Sequence, residues 1–231
     1  MAVKTENLSI GEKINDFIQK NRKLLLILLA AIIGTVIILV AVFSVRDMLV
    51  SKAFTRVDDF ERRLDELMAD YSEEFSDPAF SDDIFLLLDE LAQFEKSNSG
   101  FAAARAYSIS AAIYEAQSDW ANAENAWTSA AASAAKTYFA PVAYFNAAAA
   151  AEEQGNNQRA IELYEKVLEF GIQFPAAPRA QFSIGRLYES MGDVVGAIIA
   201  YQSLVSQYPQ DQIWVNLAHS RILALSIIRQ Y

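Results

Sequence analysis

The sequence predicts an all-α protein in which a single N-terminal transmembrane helix is followed by a solenoid of repeated helix pairs. Three observations lead to this fold class: an uncharged apolar run over residues 24–45, a heptad pattern directly after it, and a pattern of small and aromatic residues that recurs every 37 residues from residue 104. We expect four segments: a tail (1–23), the membrane span (24–45), an amphipathic connector helix with a turn (46–80) and a repeat domain (81–231).

The run over residues 24–45 holds 22 residues without a charge. As an α-helix it would reach about 33 Å, slightly more than the hydrocarbon core of a bilayer, which is about 30 Å thick. A helix satisfies its backbone hydrogen bonds internally, as lipid requires. We therefore expect an uncleaved signal anchor that crosses the lipid bilayer once.

The charges that flank the span predict its orientation. Lys20, Arg22 and Lys23 lie directly before the apolar run. Because positive charge concentrates on the cytoplasmic side of a span, we expect residues 1–23 in the cytoplasm and the C-terminal domain on the other side of the membrane.

Composition excludes several classes of function. The formal net charge is −10, and residues 46–231 carry 26 Asp or Glu against 14 Lys or Arg. Such an acidic domain is a poor nucleic-acid binder, because neutralising phosphates requires Lys and Arg. The chain has no Cys and one histidine, His219, which we expect at the surface or half-buried on the final helix. Thiol and histidine nucleophiles and zinc ligands are therefore scarce, and we expect no enzyme, no metal site and no cofactor.

The connector carries a heptad stripe of apolar residues spaced alternately by three and four positions, which are Val50, Ala53, Val57, Phe60, Leu64, Leu67 and Tyr71. This spacing places them on one face of a helix. The face either packs against the following helices of the same chain or pairs two protomers as a coiled-coil homodimer through residues 50–71. A turn at residues 76–78 is expected next, and residues 81–83 are expected to cap a helix that ends near Lys96. The acidic residues of this region are expected to form a solvated face.

The clearest repeat covers residues 178–211. Small residues stand where we expect its two helices to cross, aromatic residues stand beside them, and a turn and a stop follow; these residues are Gly185, Tyr188, Gly192, Ala197, Tyr201 and Pro209. The pattern resembles the tetratricopeptide repeat, whose consensus runs L-G-x₂-Y, then A-x₃-F, then P. Looser copies occupy residues 141–177 and 104–140, with the corresponding packing residues Ala160, Tyr164, Tyr114, Ala123 and Trp127. Residues 212–231 are expected to form the C-terminal capping helix.

In tetratricopeptide-like solenoids the first helix of each pair lines the concave face. The repeat register therefore predicts candidate peptide-binding residues, which are Arg105, Phe145, Glu152, Arg179, Phe182, Arg186 and Glu189. The same face includes Ser108, Ala112, Glu115, Val142 and Ala149. Phenylalanines would anchor an apolar side chain of a peptide and arginines would meet its carboxylates. Alternatively, these residues pack against the connector helix and fill the groove from within. The Lys/Asn clamp that holds acidic C-terminal peptides in some relatives is absent.

The order of tail, span, helix and degenerate repeats resembles the YfgM-type ancillary subunits of the bacterial Sec translocon. Phe17, Asn21 and Lys23 lie just before the span, as in that layout. The resemblance implies an inner-membrane protein whose repeat domain faces the periplasm, contacts the SecYEG translocon and links emerging polypeptides to periplasmic chaperones. The alternative is a membrane-tethered scaffold that organises cell-envelope or division machinery.

Overall fold

The computed structural model describes residues 10–70 and 78–228, and every regular element in these two ranges is an α-helix. The helices are α1 (Ile10–Lys20), α2 (Arg22–Asp70), α3 (Pro78–Ser97), α4 (Gly100–Ala116), α5 (Trp120–Ser133), α6 (Phe139–Glu153), α7 (Asn157–Leu168), α8 (Ala177–Ser190), α9 (Val194–Gln207) and α10 (Gln212–Ile228). The chain divides into two compact units, Met1–Lys52 and Ala53–Tyr231.

The part of α2 in the first unit contains the apolar run, and the helix is long and apolar enough to cross a membrane. None of its most apolar 18-residue window is buried inside the protein. The side chains of Ile14, Phe17 and Ile18 on α1 are also exposed. The predicted connector is not a separate element, because α2 continues through residue 46 to Asp70. Arg46 and Asp47 introduce charge but neither breaks a helix, so the change in composition leaves the backbone uninterrupted.

In the second unit, the heptad stripe from Ala53 onward packs against the same chain, whereas Val50, its first residue, is 46% exposed. Val57 and Phe60 are fully buried in a cluster with apolar residues of α3 and α4. The ring of Phe60 lies edge-on to that of Phe94, with 5.6 Å between centroids. Ala53, Leu64 and Leu67, which share the stripe, are partly buried against the cluster, whereas Tyr71 lies outside the described residues.

The start of α3 differs from the sequence prediction. The helix begins at Pro78, so residues 81–83 lie inside its first two turns and do not cap it. Proline is well tolerated at the first position of a helix, where its missing N–H would have no partner. Residues 76 and 77 of the predicted turn lie outside the described residues.

Three helix pairs follow, α4 with α5, α6 with α7, and α8 with α9, and their turns fall where the sequence predicts them. The first turn residue has a positive φ in each pair: Ser118 (56°), Gly155 (72°) and Gly192 (78°). The next residue caps the second helix by accepting a backbone N–H three positions on, and these caps are Asp119, Asn156 and Asp193. The turns repeat every 37 residues, so the three pairs share one local design.

Small residues lie where the paired helices meet. Ala123, Ala160 and Ala197 are fully buried. At Gly185 a Cβ atom would lie 2.5 Å from Cε1 of Tyr201, so the contact that requires glycine is with an aromatic ring on α9 and not with the α9 backbone. The aromatic residues beside these contacts are buried or half-buried: Tyr114, Trp127, Tyr164, Tyr188 and Tyr201. Pro209 is exposed and follows the end of α9.

The final helix covers the last repeat only in part. Trp214, Ile222 and Leu225 pack into the cluster formed with α9. Leu217 and Ile227 of the same helix are 44% and 53% exposed. They lie on the outer side of α10, as does His219, which is exposed.

Candidate functional site

A groove of about 340 Å³ opens on the first helices of the second and third pairs. Five of the seven predicted peptide-binding residues line it: Phe145, Glu152, Arg179, Phe182 and Arg186. They come from α6 and α8, which present the same helical face because the pairs repeat in register. The groove is named here the central groove.

Aromatic rings form one wall of the central groove. The ring of Phe145 lies edge-on to Tyr164 at 5.1 Å between centroids. The ring of Phe182 contacts Tyr201 at 5.2 Å and Trp214 at 5.3 Å. Trp214 comes from the start of α10, which the sequence pattern identifies only as a cap. Such rings offer a large apolar surface for a bound side chain.

Arg179 also lies at this wall. Its guanidinium lies 4.9 Å from the centre of the Phe145 ring, within the range of a cation–π contact. Among the residues that the structure describes, no Asp or Glu forms an ion pair with it. The side chain is exposed, so its donors remain available to a carboxylate from outside the chain.

The other charged candidates bind partners within the protein. Glu152 accepts a hydrogen bond from the Tyr164 hydroxyl at 2.7 Å and pairs with Arg186 of the next helix pair. Glu189 accepts a hydrogen bond from the Tyr201 hydroxyl at 2.6 Å and from Nε of Arg221 at 2.9 Å. The tyrosine bonds lie within a helix pair, and the arginine contacts join the second pair to α8 and the third pair to α10.

The ion pair at the end of the solenoid changes the titration of its members. The hydrogen bond from Arg221 lowers the pKa of Glu189, although burial opposes it. Burial, and then the hydrogen bond to Glu189, raise the pKa of Tyr201. Sequence reasoning did not find Arg221, because its helix departs from the repeat pattern. Glu189 does not line the central groove.

Arg105 does not line the central groove and instead pairs with the connector part of α2. Its Nη1 lies 2.9 Å from Oδ1 of Asp58 and its Nη2 lies 2.6 Å from Oε2 of Glu61. The two alternatives for the predicted binding face, an open groove and a face covered by the connector helix, therefore apply to different repeats. The connector covers Arg105 in the first pair, whereas Phe145 and Phe182 line an open groove in the second and third.

This arrangement suits the recognition of a bound peptide. Across residues 10–70 and 78–228, no three His, Asp or Glu side chains converge as metal ligands. The central groove offers aromatic faces and a guanidinium, which bind apolar and carboxylate groups without making or breaking covalent bonds.

Comparisons with known proteins identify the repeats. Tetratricopeptide repeat families match residues 110–173 and residues 179–211. A "TPR repeat-containing protein" of Treponema pallidum (strain Nichols) is 39% identical over 128 residues, which are 55% of this chain and 53% of the relative. The match thus spans about half the length of that protein.

The predicted fold class is confirmed: the chain is all-helical with tetratricopeptide repeats, and its long apolar N-terminal helix is a candidate membrane span. Such repeats generally bind other proteins, and no catalytic family is indicated.

Proposed function

We propose that the protein is a non-enzymatic, membrane-anchored module that binds an extended segment of a partner protein in the central groove. The observation that carries this proposal is Arg179, which stacks on Phe145 and forms no ion pair with another described residue, beside the aromatic wall that Phe182 and Trp214 complete. An apolar side chain of the segment packs on this wall, and a neighbouring carboxylate pairs with Arg179.

The partner we propose lies in the secretion machinery. In this proposal the domain faces the periplasm of a bacterium, contacts the SecYEG translocon and passes emerging polypeptides to periplasmic chaperones. The support is the order of tail, apolar helix, connector and degenerate repeats, together with the basic residues before the span.

Affinity purification of the full-length protein from membranes in mild detergent, followed by mass spectrometry, tests both the identity of the partner and its binding in the central groove. We expect translocon subunits and periplasmic chaperones to be enriched, and to be lost when residues 24–45 are deleted. Arg179→Glu should reduce their recovery. Lys136→Glu reverses the charge of an exposed lysine outside the groove and should leave recovery unchanged.

Two outcomes would contradict the proposal at different levels. Enrichment of cell-envelope or division proteins without the translocon would favour the tethered scaffold and reject the role in secretion. Equal recovery by wild type and Arg179→Glu would reject the central groove as the binding site, whatever the partner.

Orientation has an independent test, because the chain has no cysteine. We expect a membrane-impermeant maleimide added to cells with a permeabilised outer membrane to label Gln202→Cys, on α9. The same reagent should leave Lys13→Cys, on α1, unlabelled until the inner membrane is opened. The reverse pattern would reject a periplasmic domain.

A further inference from the structure

The three helix pairs share a hydrogen bond between a glutamate of the first helix and an aromatic residue of the second. Its members are Glu115 with Trp127 Nε1 (2.7 Å), Glu152 with Tyr164 (2.7 Å) and Glu189 with Tyr201 (2.6 Å). Each glutamate lies 37 residues from the next. The repetition means that the three carboxylates occupy equivalent places in their repeats.

Two of these carboxylates are also paired with an arginine from the helix that comes directly after their own helix pair. Arg186 on α8 pairs with Glu152, and Arg221 on α10 pairs with Glu189. Each such pair gives a partly buried carboxylate a guanidinium partner, which offsets the cost of removing the carboxylate from water.

Glu115 lacks this arginine. Within the described part of the chain, the Glu115 carboxylate accepts one hydrogen bond, from Trp127 Nε1, and no Lys or Arg forms an ion pair with it. The position on α6 that corresponds to Arg186 is Ala149, which lies on the exposed surface and lines the central groove. Alanine has no group that could pair with Glu115 in the way that Arg186 pairs with Glu152.

We propose that Glu115 and Trp127 form a binding position for an arginine side chain of a partner protein. The guanidinium takes the place at Glu115 that Arg186 takes at Glu152, and it enters beside Ala149. The inference extends the proposed function, because the arginine belongs to the segment that lies in the central groove.

Arginine fits this position better than lysine. Both internal examples use arginine, and Arg221 presents Nε and Nη2 to the two oxygens of Glu189. Such a fork matches the geometry of a carboxylate, whereas the ammonium group of lysine acts as a point charge.

The indole of Trp127 reports directly on this position, because its N–H is bonded to Glu115. The full-length protein in detergent micelles, labelled with ¹⁵N at tryptophan, has three indoles, from Trp120, Trp127 and Trp214. We would titrate it with N-acetyl-arginine N-methylamide and with the uncharged citrulline derivative of the same shape. We expect a saturable shift of the Trp127 signal with the arginine derivative alone.

Two variants separate recognition from folding. Glu115→Gln retains an oxygen for the Trp127 N–H, so the fold should persist while binding weakens about tenfold, as expected for loss of a charged hydrogen-bond partner. Ala149→Arg should supply the missing arginine from within, shift the Trp127 signal without ligand and abolish the titration. Glu165→Gln, an exposed residue on α7, is the matched control and should titrate like wild type.

The inference is overturned if the Trp127 signal shows no saturable shift, or shifts equally with citrulline or in Glu115→Gln. This test does not depend on Arg179. If the Trp127 signal titrates but Arg179→Glu captures the partner as well as wild type does, the central groove is rejected and the arginine position is kept. If the Trp127 signal does not titrate but Arg179→Glu captures less partner, the arginine position is rejected and the central groove is kept.

Discussion

Gly185 shows how one residue type is required by its surroundings. A Cβ atom there would lie between 2.5 and 2.8 Å from three ring carbons of Tyr201. That ring is fully buried, contacts Phe182 and donates its hydroxyl hydrogen to Glu189, so it has little freedom to move. We expect Gly185→Ala to destabilise the domain by about 1–3 kcal/mol, although alanine is the better helix former by about 1 kcal/mol.

Thermal melting of the full-length protein in detergent, followed by near-ultraviolet circular dichroism, measures this change. Gln202→Ala alters an exposed residue of α9 and should melt like wild type. A melting temperature for Gly185→Ala at or above that of wild type would show that the Tyr201 ring yields to the new methyl group.

Glu95 predicts a dependence of stability on pH. Its Oε1 accepts a hydrogen bond from Ser110 at 2.7 Å between α3 and α4, and burial raises its pKa to about 6, although that hydrogen bond acts in the opposite direction. In the unfolded chain the carboxyl loses its proton near pH 4.5. The folded state therefore loses stability as pH rises from about 4.5 through 6, since it must ionise a partly buried group.

We expect Glu95→Gln to be more stable than wild type at pH 7.5 by on the order of 1 kcal/mol, after allowance for solvent around the carboxyl. Below about pH 4.5 the difference should vanish. Carboxylates whose pKa is lowered by arginines, such as Glu90, make the folded state more stable as pH rises. They do so equally in wild type and in Glu95→Gln, so they do not affect the difference between the two proteins. Urea unfolding across this pH range measures the difference, and a gap that does not vary with pH would contradict the prediction.

At the scale of the element, α2 depends on Phe60 for its contact with α3 and α4. Phe60 is 1% exposed, and the guanidinium of Arg56 lies 4.6 Å from its ring centre. Phe60→Ala should cost about 3–5 kcal/mol, as for other large aromatic residues removed from a core. Arg62→Ala removes only exposed ion pairs with Asp59 and Glu66 and should change stability by less than about 1 kcal/mol.

Sedimentation of the same variants decides what the heptad stripe does. Because Val57 and Phe60 are buried against their own chain, Phe60→Ala should leave the oligomeric state of the full-length protein unchanged. A shift to a smaller species, with stability retained, would show that the stripe pairs two protomers.

Local signals were enough to predict the helix pairs. Turn residues such as Gly155 with Asn156 and Gly192 with Asp193 combine a positive φ with a capping side chain, and both properties can be read from neighbouring residues. Reliance on local signals also explains why the continuity of α2 was missed. The composition changes at residue 46, but the helix continues through it.

The roles of the charged groove residues could not be predicted locally. Arg186 meets Glu152 across 34 residues of sequence, and that approach depends on how successive pairs rotate. Both side chains line the central groove, but the repeat register could not show that they bind each other. Trp214 was missed as a groove residue because α10 departs from the repeat.

At the scale of the whole repeat domain, contacts run mainly between consecutive helices. The buried clusters follow the same order: one joins α2, α3 and α4, another spans α4 to α9, and the last joins α8, α9 and α10. In such a linear architecture stability is close to a sum of repeat and neighbour terms, so a defect at one end need not unfold the other.

Hydrogen exchange measured by mass spectrometry on the full-length protein tests this independence. Phe60→Ala should speed amide exchange in α3 and α4, while α8, α9 and α10 keep the protection they have in wild type. Gly185→Ala should speed amide exchange in α8, α9 and α10 and leave α3 and α4 as protected as in wild type, because its clash lies between α8 and α9. If either variant instead speeds exchange evenly from α3 to α10, the repeat domain unfolds as one cooperative unit, and the neighbour-by-neighbour description of its stability is wrong.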